Sequence, residues 1–248
     1  MNNSSDKMTS TIPSSEKAIS LSNKAASFVD SVGALRPAVA VFDCDDTLWR
    51  GDSGKGFMDW EFEHKLVSDE VIVWGHARYA QYEQGKVGEE EMCGEMVAWH
   101  KGIPIATLEA AAERYIAETI DKRIFPEMQE LVSRLLSAGC DVWAVSSTNE
   151  WVIRSGVKRY GIRPDHVLAV SVAVENGVAT DRLIRVPSGE GKAVAVRQFI
   201  GEHVDAVFGN SIHDAAMLKL ARHAYAINAN PDLRQIAEQR GWTIYQPE

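Results

Sequence analysis

Two aspartates, Asp43 and Asp45, stand two positions apart directly after a short apolar run at residues 38–42. In extended backbone the side chains alternate between two faces, so both carboxylates point to the same side. Two carboxylates at that separation repel each other unless a cation or a proton lies between them. With a metal beside it, such a carboxylate can attack phosphorus as a nucleophile. An Asp-rich turn is the alternative interpretation, because aspartate also favours turns and helix caps.

A hydroxyl pair and a lysine form two further polar clusters. Ser146 and Ser147 follow an apolar run at residues 141–145, and their hydroxyl and amide groups could hold phosphate oxygens. A helix N-cap is the simpler role for this segment. Lys192 follows Gly-Glu-Gly at the start of a helical pattern, where it could neutralise a phosphoryl group or lie on the surface. The segment is not a P-loop, since it lacks the first glycine and the Ser or Thr.

The fourth cluster, Asn210 and Asp214, follows a third apolar run at residues 204–208. Their amide and carboxylate oxygens could bind Mg²⁺, a hard cation that prefers oxygen ligands, or the two residues could belong to a turn and a helix cap. Each cluster has such a simple explanation when it is taken alone. Their shared position after predicted strands, or at the start of a helix beside them, favours one common site.

Valine-rich runs that alternate with helical patterns indicate the fold that positions these residues. The runs at residues 38–42, 141–145 and 204–208 are typical of strands buried on both faces, and weaker candidates follow at 223–227 and 242–245. Strands alternating with helices predict an α/β fold with a parallel sheet covered on both faces. Ligands of such sheets bind beyond the carboxyl ends of the strands, which is where the polar clusters stand.

The chain is predicted to consist of a core and an insertion. Residues 51–123 contain no convincing strand and hold 15 acidic and 8 basic residues, so most of the net charge lies there. We predict that this segment is a helical cap, and that residues 16–50 and 124–248 form the catalytic core. Residues 1–15 are rich in Ser, Thr and Asn and are predicted to be a flexible leader, and a first helix is expected over residues 16–33.

Composition limits the classes of function. The 248 residues are 45% hydrophobic and 25% charged, and the net charge of −9 argues against general binding to nucleic acid or to anionic membranes. No apolar run approaches the length of a bilayer span, and the N-terminus lacks the hydrophobic centre of a signal peptide. Three cysteines without a CxxC pattern favour reduced thiols. We therefore expect a cytoplasmic protein.

The motifs and their order resemble the haloacid-dehalogenase-like (HAD) superfamily from about residue 39 to the end of the chain. The similar motifs are, in order, Asp43-x-Asp45-Asp46-Thr47, Ser146, Lys192 and Gly209-Asn-Ser-x-x-Asp214. Four features are similar to the phosphoserine-phosphatase-like subgroup: the predicted cap, the Gly-Asp-Ser after the first motif, the segment Val145-Ser-Ser-Thr-Asn-Glu-Trp151, and a predicted hairpin around Asn176 and Gly177 within residues 170–185.

The resemblance implies a Rossmann-like parallel core with a helical cap inserted after the first strand. It also implies a Mg²⁺-dependent phosphomonoester hydrolase that acts on a small phosphorylated metabolite. Asp43 would attack phosphorus and form an aspartyl-phosphate, while Asp45 would protonate the leaving alcohol and then activate water. Ser146 and Ser147 would orient the phosphoryl oxygens and Lys192 would neutralise their charge. The metal ligands would be Asp43, Asp45 through its carbonyl, Asn210 and Asp214.

Other functions on the same scaffold stay open at this point. A phosphotransferase or phosphomutase would share every site residue. A dehalogenase would not need the second aspartate, Asp45. A catalytically silent binding protein is favoured only by Asn210, which stands where an aspartate is frequent and so removes one negative charge from the metal site. The oligomeric state is not indicated.

The cap is expected to select the substrate. It is acidic and has six aromatic residues in or near it, Trp49, Trp60, Trp74, Tyr79, Tyr82 and Trp99. Acidic and aromatic groups together suit a positively charged leaving group, as in phosphoserine or phosphocholine. The alternative is that the aromatics form the core of the cap and the acids a solvated face. His213, within the fourth motif, is expected to be a surface residue at a helix start.

Overall fold

The computed structural model describes residues 20–248, so the predicted leader at residues 1–15 lies outside the described residues. The strands are β1 Val39–Phe42, β2 Asp141–Asn149, β3 Val167–Glu175, β4 Val178–Arg185, β5 Val204–Gly209, β6 Ala221–Ile227 and β7 Thr243–Tyr245. The α-helices are α1 Asn23–Ala34, α2 Ser53–Glu63, α3 Asp69–Glu83, α4 Glu89–Ala98, α5 Ile105–Tyr115, α6 Pro126–Ser137, α7 Glu150–Val157, α8 Glu190–Phe199, α9 Ala215–Leu218 and α10 Pro231–Arg240.

The strands form one sheet in the order β4-β3-β2-β1-β5-β6-β7, and every neighbouring pair is parallel except β3 and β4. β3 and β4 are joined by a two-residue turn in which Asn176 and Gly177 have φ angles of 51° and 77°. Positive φ at both central residues is the requirement of a tight hairpin, and Asn-Gly meets it with little strain. The hairpin predicted within residues 170–185 is therefore confirmed.

The central strand β1 shows why the strands of the sheet appear in the sequence as continuous apolar runs. Ala40 and Phe42 belong to a core cluster with residues of α1 and α6, whereas Val41 belongs to a second cluster with residues of α8 and α10. All three side chains are fully buried. Because alternate residues face helical layers on opposite sides, none of them can be polar without a buried partner. Phe42 also stacks on Phe208 of β5, with ring centroids 4.2 Å apart.

Two helices illustrate how local sequence sets the boundaries. α6 begins with Pro126 and ends shortly before Gly139, whose φ is 83°. Proline has no N–H to lose at the first helical position, and glycine accepts the left-handed conformation at little cost. α1 begins later than expected, at Asn23, because the Ser22 hydroxyl caps it by accepting a hydrogen bond from the Ala25 amide. The predicted helical start is therefore wrong for residues 20–22.

Residues 51–123 contain four helices, α2 to α5, and a π-helical turn at Ile116–Ile120. Within this fully described segment, strand pairing is limited to one isolated bridge, from Pro104 to Val178. α4 packs against β2, β3 and β4, and α2 packs against β2 and α7. We keep the name cap for residues 51–123, and its standing as a separate domain stays a prediction.

Two further properties of the described residues bear on the expectations from composition. Across residues 20–248, no helix combines the length and the apolar character that a membrane crossing requires. Cys44, Cys93 and Cys140 are all free thiols. The fold therefore depends on its hydrophobic core, without disulfide crosslinks.

Gly156 in α7 generates a prediction about packing. A Cβ added there would lie 2.8 Å from Cη2 of Trp49, which is fully buried. We expect Gly156→Ala to lower the free energy of unfolding by about 1–3 kcal/mol, the usual cost of overpacking a core. Urea unfolding followed by circular dichroism measures the change. The matched control is Gly33→Ala in α1, where nothing lies within 4 Å, and it should be neutral or slightly stabilising. Equal losses in both variants would contradict the packing argument.

Candidate active site

The polar clusters of the sequence meet around one cavity of about 250 Å³. The residues lining it include Asp43, Asp45, Ser146, Ser147, Lys192 and Asn210. Asp214 is fully buried behind Lys192. The cavity lies where β1, β2 and β5 end, and the cap residues Tyr79, Tyr82, Glu89 and Met92 form its other wall. This is the edge of a parallel sheet at which ligands bind.

Lys192 stands between two carboxylates. Its ammonium donates to Oδ1 of Asp43 and to Oδ1 of Asp214, both at 2.6 Å. All three side chains are almost fully buried. The second oxygen of Asp43 accepts a hydrogen bond of 3.1 Å from the Thr47 hydroxyl. Lys192 is therefore a buried charge with two partners, and not the surface lysine that its sequence context also allowed.

The charges around Lys192 are not balanced. Burial, followed by the charge of Asp214, raises the pKa of Asp43 well above its usual range, although Lys192 opposes the shift. Burial alone would lower the pKa of Lys192, but the charges of Asp214 and Asp43 outweigh burial and raise it. The ammonium therefore stays charged at neutral pH, but its single charge does not suffice to keep both carboxyl groups ionised.

Asp45 is held by donors from three segments. Its Oδ1 accepts from the Trp49 indole N–H at 2.8 Å and from the Ser53 amide at 2.7 Å, and its Oδ2 accepts from the Thr148 hydroxyl at 2.8 Å. Burial nevertheless raises the pKa of Asp45, because these hydrogen bonds offset only part of the desolvation. The Ser53 amide lies in the first turn of α2, so the cap itself fixes the orientation of this carboxyl group.

The segment between the two aspartates and the cap is also a tight turn. The Cys44 carbonyl accepts hydrogen bonds from the Thr47 and Leu48 amides, at 3.1 and 2.7 Å. Asp46 adopts a φ of 53°, and its carboxylate accepts a hydrogen bond from the Gly51 amide at 2.7 Å. Aspartate tolerates this left-handed conformation better than most residues. The turn interpretation of the Asp-rich segment is therefore confirmed, and the chemical role of its two aspartates stays a prediction.

Successive residues of the second motif, from Ser146 to Asn149, make different contacts. Ser146 accepts a hydrogen bond of 3.1 Å from the Thr148 amide, and the Ser147 hydroxyl donates to the Pro187 carbonyl at 3.1 Å. The helix cap is supplied by Asn149, whose side chain accepts from the Val152 amide at 2.9 Å. The capping interpretation is thus satisfied just beyond the serines. Both serines still line the cavity.

The fourth motif encloses a carboxylate that is saturated with donors. Oδ2 of Asp214 accepts hydrogen bonds from the Asn210 and Ser211 amides, both at 2.9 Å, while its Oδ1 accepts from Lys192. A Cβ at position 209 would lie 2.6 Å from the Asp214 Cβ, so only glycine fits there. The Asn210 side chain lines the cavity beside this arrangement.

A contact between cap and core was not foreseen from the sequence. His213 pairs with Glu89 of α4, and Glu89 also accepts a hydrogen bond of 2.8 Å from the Ser188 hydroxyl. The hydrogen bond to Glu89 raises the pKa of His213. The pKa of Glu89 is lowered, because the bond and charge of His213 outweigh the effect of burial. His213 is partly exposed, as expected, but it forms an ion pair that joins two distant segments.

The aromatic residues of the cap divide into different roles. Trp49 is fully buried and holds Asp45, and Trp74 is exposed on α3. Trp99 packs on Phe62 within the cap. Of the six aromatics suggested for a leaving group, Tyr79 and Tyr82 line the cavity. The rest are thus not part of the cavity wall.

A parallel sheet with carboxylates, hydroxyls and a lysine at its carboxyl edge is the layout of an α/β enzyme. Residues 40–219 match the haloacid dehalogenase-like hydrolase family. Phosphoserine phosphatase SerB1 of Mycobacterium tuberculosis is 30% identical over 220 residues, which cover 84% of this chain and 70% of that protein. Histidinol-phosphatase of Neisseria meningitidis is 26% identical over 224 residues, which cover 83% of this chain and 97% of that protein. The chain therefore belongs to the haloacid dehalogenase-like hydrolase family.

Solved structures share the fold. A protein of unknown function from Bordetella pertussis superposes with a TM-score of 0.74 at 24% identity, covering 84% of this chain and 97% of that one. A substrate-bound phosphoserine phosphatase gives a TM-score of 0.56 at 19% identity, covering 85% and 93%. At these identities the likeness shows the fold alone. The predicted family and the α/β fold with its Rossmann-like core are confirmed, and the chain is a phosphatase of this family.

The hydrogen bond from Thr148 to Asp45 generates a prediction about turnover. Thr148→Val keeps the shape of the side chain but removes the donor to Oδ2 of Asp45. We expect kcat for phosphate release to fall by about tenfold to a hundredfold, the range for a hydrogen bond to a charged group. Thr107→Val on the exposed face of α5 is the control and should leave kcat unchanged. Equal kcat values in the two variants would show that Thr148 does not orient Asp45.

Proposed function

We propose that the chain is a Mg²⁺-dependent phosphomonoester hydrolase that works through an aspartyl-phosphate on Asp43. The observation that carries this proposal is the buried ammonium of Lys192 between Asp43 and Asp214, in the wall of a cavity that Asp45 also lines. A carboxylate next to a fixed cation can meet an anionic phosphate without prohibitive repulsion. The substrate is a small phosphorylated metabolite, since the cavity is only about 250 Å³.

The donor set of the site fits a magnesium ion. The raised pKa of Asp43 is a sign that the site lacks positive charge, which a divalent cation would supply. Within residues 20–248 no three His, Cys, Asp or Glu side chains form a complete metal site. Magnesium does not need one, because it binds through one or two carboxylates, keeps several waters and takes substrate phosphate oxygens. The protein ligands would be Asp43, Asp45 through its carbonyl, and Asn210, which all line the cavity. Asp214, which the sequence also suggested as a ligand, accepts hydrogen bonds from Lys192 and from the Asn210 and Ser211 amides, so it would position Lys192 beside the metal.

When bound, Mg²⁺ supplies charge that offsets the repulsion between the nucleophile and the phosphoryl group. Asp43 attacks phosphorus, and the bond between phosphorus and the alcohol oxygen breaks. Asp45 gives its proton to the departing alcohol, for which its raised pKa suits it. Asp45 then takes a proton from the water that hydrolyses the aspartyl-phosphate. Ser146 and the Ser147 amide orient the phosphoryl oxygens, and Lys192 stays charged beside them.

A phosphotransferase would use the same residues and differ only in the acceptor, which would be an alcohol in place of water. No observation favours it over hydrolysis. A catalytically silent binding protein is disfavoured by the fixed orientation of Asp45, which three donors hold in the cavity. Such pre-organisation is a feature of sites that carry out chemistry.

The roles of the two aspartates can be separated with variants. We expect Asp43→Asn to abolish phosphate release, and chelation of Mg²⁺ to abolish it reversibly in the wild type. Asp45→Asn should retain more activity on p-nitrophenyl phosphate than on alkyl phosphates, because p-nitrophenolate leaves without a proton.

Acid-quenched wild-type enzyme should carry one phosphoryl group on the peptide that contains Asp43, detected by mass spectrometry. A phosphoryl group on any other residue would overturn the assignment of the nucleophile.

We further propose that the leaving group carries an amine, as in phosphoserine or phosphocholine. In the cavity wall Lys55 is paired with Asp59 at 2.6 Å, and Glu89 with His213. Asp52 accepts the Lys55 amide as the cap of α2, and within residues 20–248 no basic side chain pairs with it. Asp52 lines the cavity together with Tyr79 and Tyr82, and the Lys55 ammonium, 5.0 Å from the Tyr79 ring centroid, already faces one of these rings. The Asp52 carboxylate and the ring of Tyr82 suit the ammonium group of a substrate.

The amine hypothesis predicts a specific dependence on pH. Burial and the charge of Asp45 raise the pKa of Asp52 to about 6. Below that pH Asp52 is neutral, so the KM for phosphoethanolamine or phosphocholine should rise as pH falls through about 6. Asp52→Asn should raise that KM by about tenfold at neutral pH, which corresponds to the loss of roughly one charge interaction. The same variant should remove the rise of KM at low pH. Glycerol phosphate is the neutral control, and its KM should not change. A parallel change for both substrates would refute the role of Asp52.

A further inference from the structure

Glu89 contacts both core segments that carry the Lys192–Asp214 pair, although it belongs to the cap. It is the first residue of α4, and its side chain is 15% exposed. One carboxylate oxygen accepts the Ser188 hydroxyl at 2.8 Å, and the other pairs with Nε2 of His213. Ser188 stands just before α8, which carries Lys192, and His213 is the neighbour of Asp214.

The neighbours of Glu89 in α4 make different contacts. Glu91 pairs with Arg78 of α3, so it stabilises the cap internally. Glu90 is exposed and has no ion-pair partner within the described part of the chain. All three acids lie in the first turn of α4, where negative charge is favourable in any case. Glu89 alone of the three is directed to the core, so helix stability does not account for its orientation.

The two contacts have a mechanical consequence. Ser188 is buried, and its carbonyl accepts the Gly191 amide at 2.8 Å in the turn that opens α8. His213 belongs to the short helical turn Ile212–Asp214, which ends at the carboxylate bound by Lys192. One cap carboxylate thus bridges the two segments whose Lys192 and Asp214 side chains lie 2.6 Å apart. Movement of α4 away from the core breaks both contacts together.

We propose that Glu89 is a positioning residue, which aligns the Lys192–Asp214 pair only while the cap covers the cavity. The inference rests on the proposed phosphatase mechanism and adds to it a coupling between cap closure and the catalytic lysine. When the cap encloses a substrate, Lys192 and Asp214 are thereby held in alignment. When the cap is open, Glu89 no longer holds these two residues in place.

The test compares Glu89→Gln with Glu90→Gln in the otherwise intact chain, with p-nitrophenyl phosphate and Mg²⁺. Both variants remove one charge from the first turn of α4, so the effect on the helix is matched. We expect Glu89→Gln to lower kcat by about tenfold, the loss of roughly one charge-assisted hydrogen bond, with KM nearly unchanged. Glu90→Gln should keep the wild-type kcat. A rise in KM at constant kcat would mean that Glu89 contacts the substrate, and it would overturn the proposal.

A double variant tests whether the effect passes through His213. If Glu89 acts through that pair, Glu89→Gln combined with His213→Asn should lower kcat no further than the stronger single variant. Losses that multiply would overturn the proposal. Thermal unfolding followed by circular dichroism shows whether each variant is folded, and a kcat loss that only follows a loss of folded protein would also overturn it.

The wild-type assay separates this proposal from the one on which it rests. Absence of hydrolysis by the wild type contradicts the proposed phosphatase mechanism itself. Hydrolysis by the wild type with an unchanged kcat in Glu89→Gln contradicts only the positioning role.

Discussion

The buried ammonium of Lys192 is the constraint on which the rest of the structure depends. An unpaired charge in the interior is very costly, and removal of one partner from a buried pair typically costs about 3–5 kcal/mol. Lys192 has two carboxylate partners at 2.6 Å, one from the end of β1 and one from the turn after β5. Three segments that are distant in the chain must therefore meet at one point. These segments are brought together by the sheet, by glycines where two segments approach closely, and by α8, the helix that carries Lys192.

Strand register is the main device that brings the partners together. In the parallel pairing of β1 with β5, Phe42 stands opposite Phe208, and the Asp43 amide then donates to the Phe208 carbonyl at 2.9 Å. Asp43 and the fourth motif are thereby placed at the same level of the sheet edge. A shift of one residue would turn Phe42 toward the opposite layer and Asp43 away from Lys192. Core packing thus protects the geometry of the site, since the stacked phenylalanines and the nucleophile share one register.

The sequence predicts the buried strands better than it predicts the contacts between distant segments. Short valine-rich runs predict β1, β2 and β5 because a strand buried on both faces leaves few alternatives. Trp49 could not be placed in the same way, since its role as a donor to Asp45 depends on α7 packing against it at Gly156. The late start of α1 depends on the Ser22 cap, which competes with helical patterns upstream. Contacts between distant segments, such as that of Glu89 with His213, produce no periodic pattern in the sequence from which they could be predicted.

The acidic composition of the cap overstates the charge that a substrate meets. Arg78 pairs with both Glu91 and Glu95, and Lys55 pairs with Asp59. These pairs lie within the cap, with Glu91 and Asp59 more than half exposed, so they contribute little stability but reduce the uncompensated negative charge of the cap. Asp52 differs because its carboxylate caps α2 and faces the cavity without a cationic partner among residues 20–248. Under the proposed amine specificity, the charges that matter are the few that internal pairing leaves uncompensated, and composition alone cannot identify them.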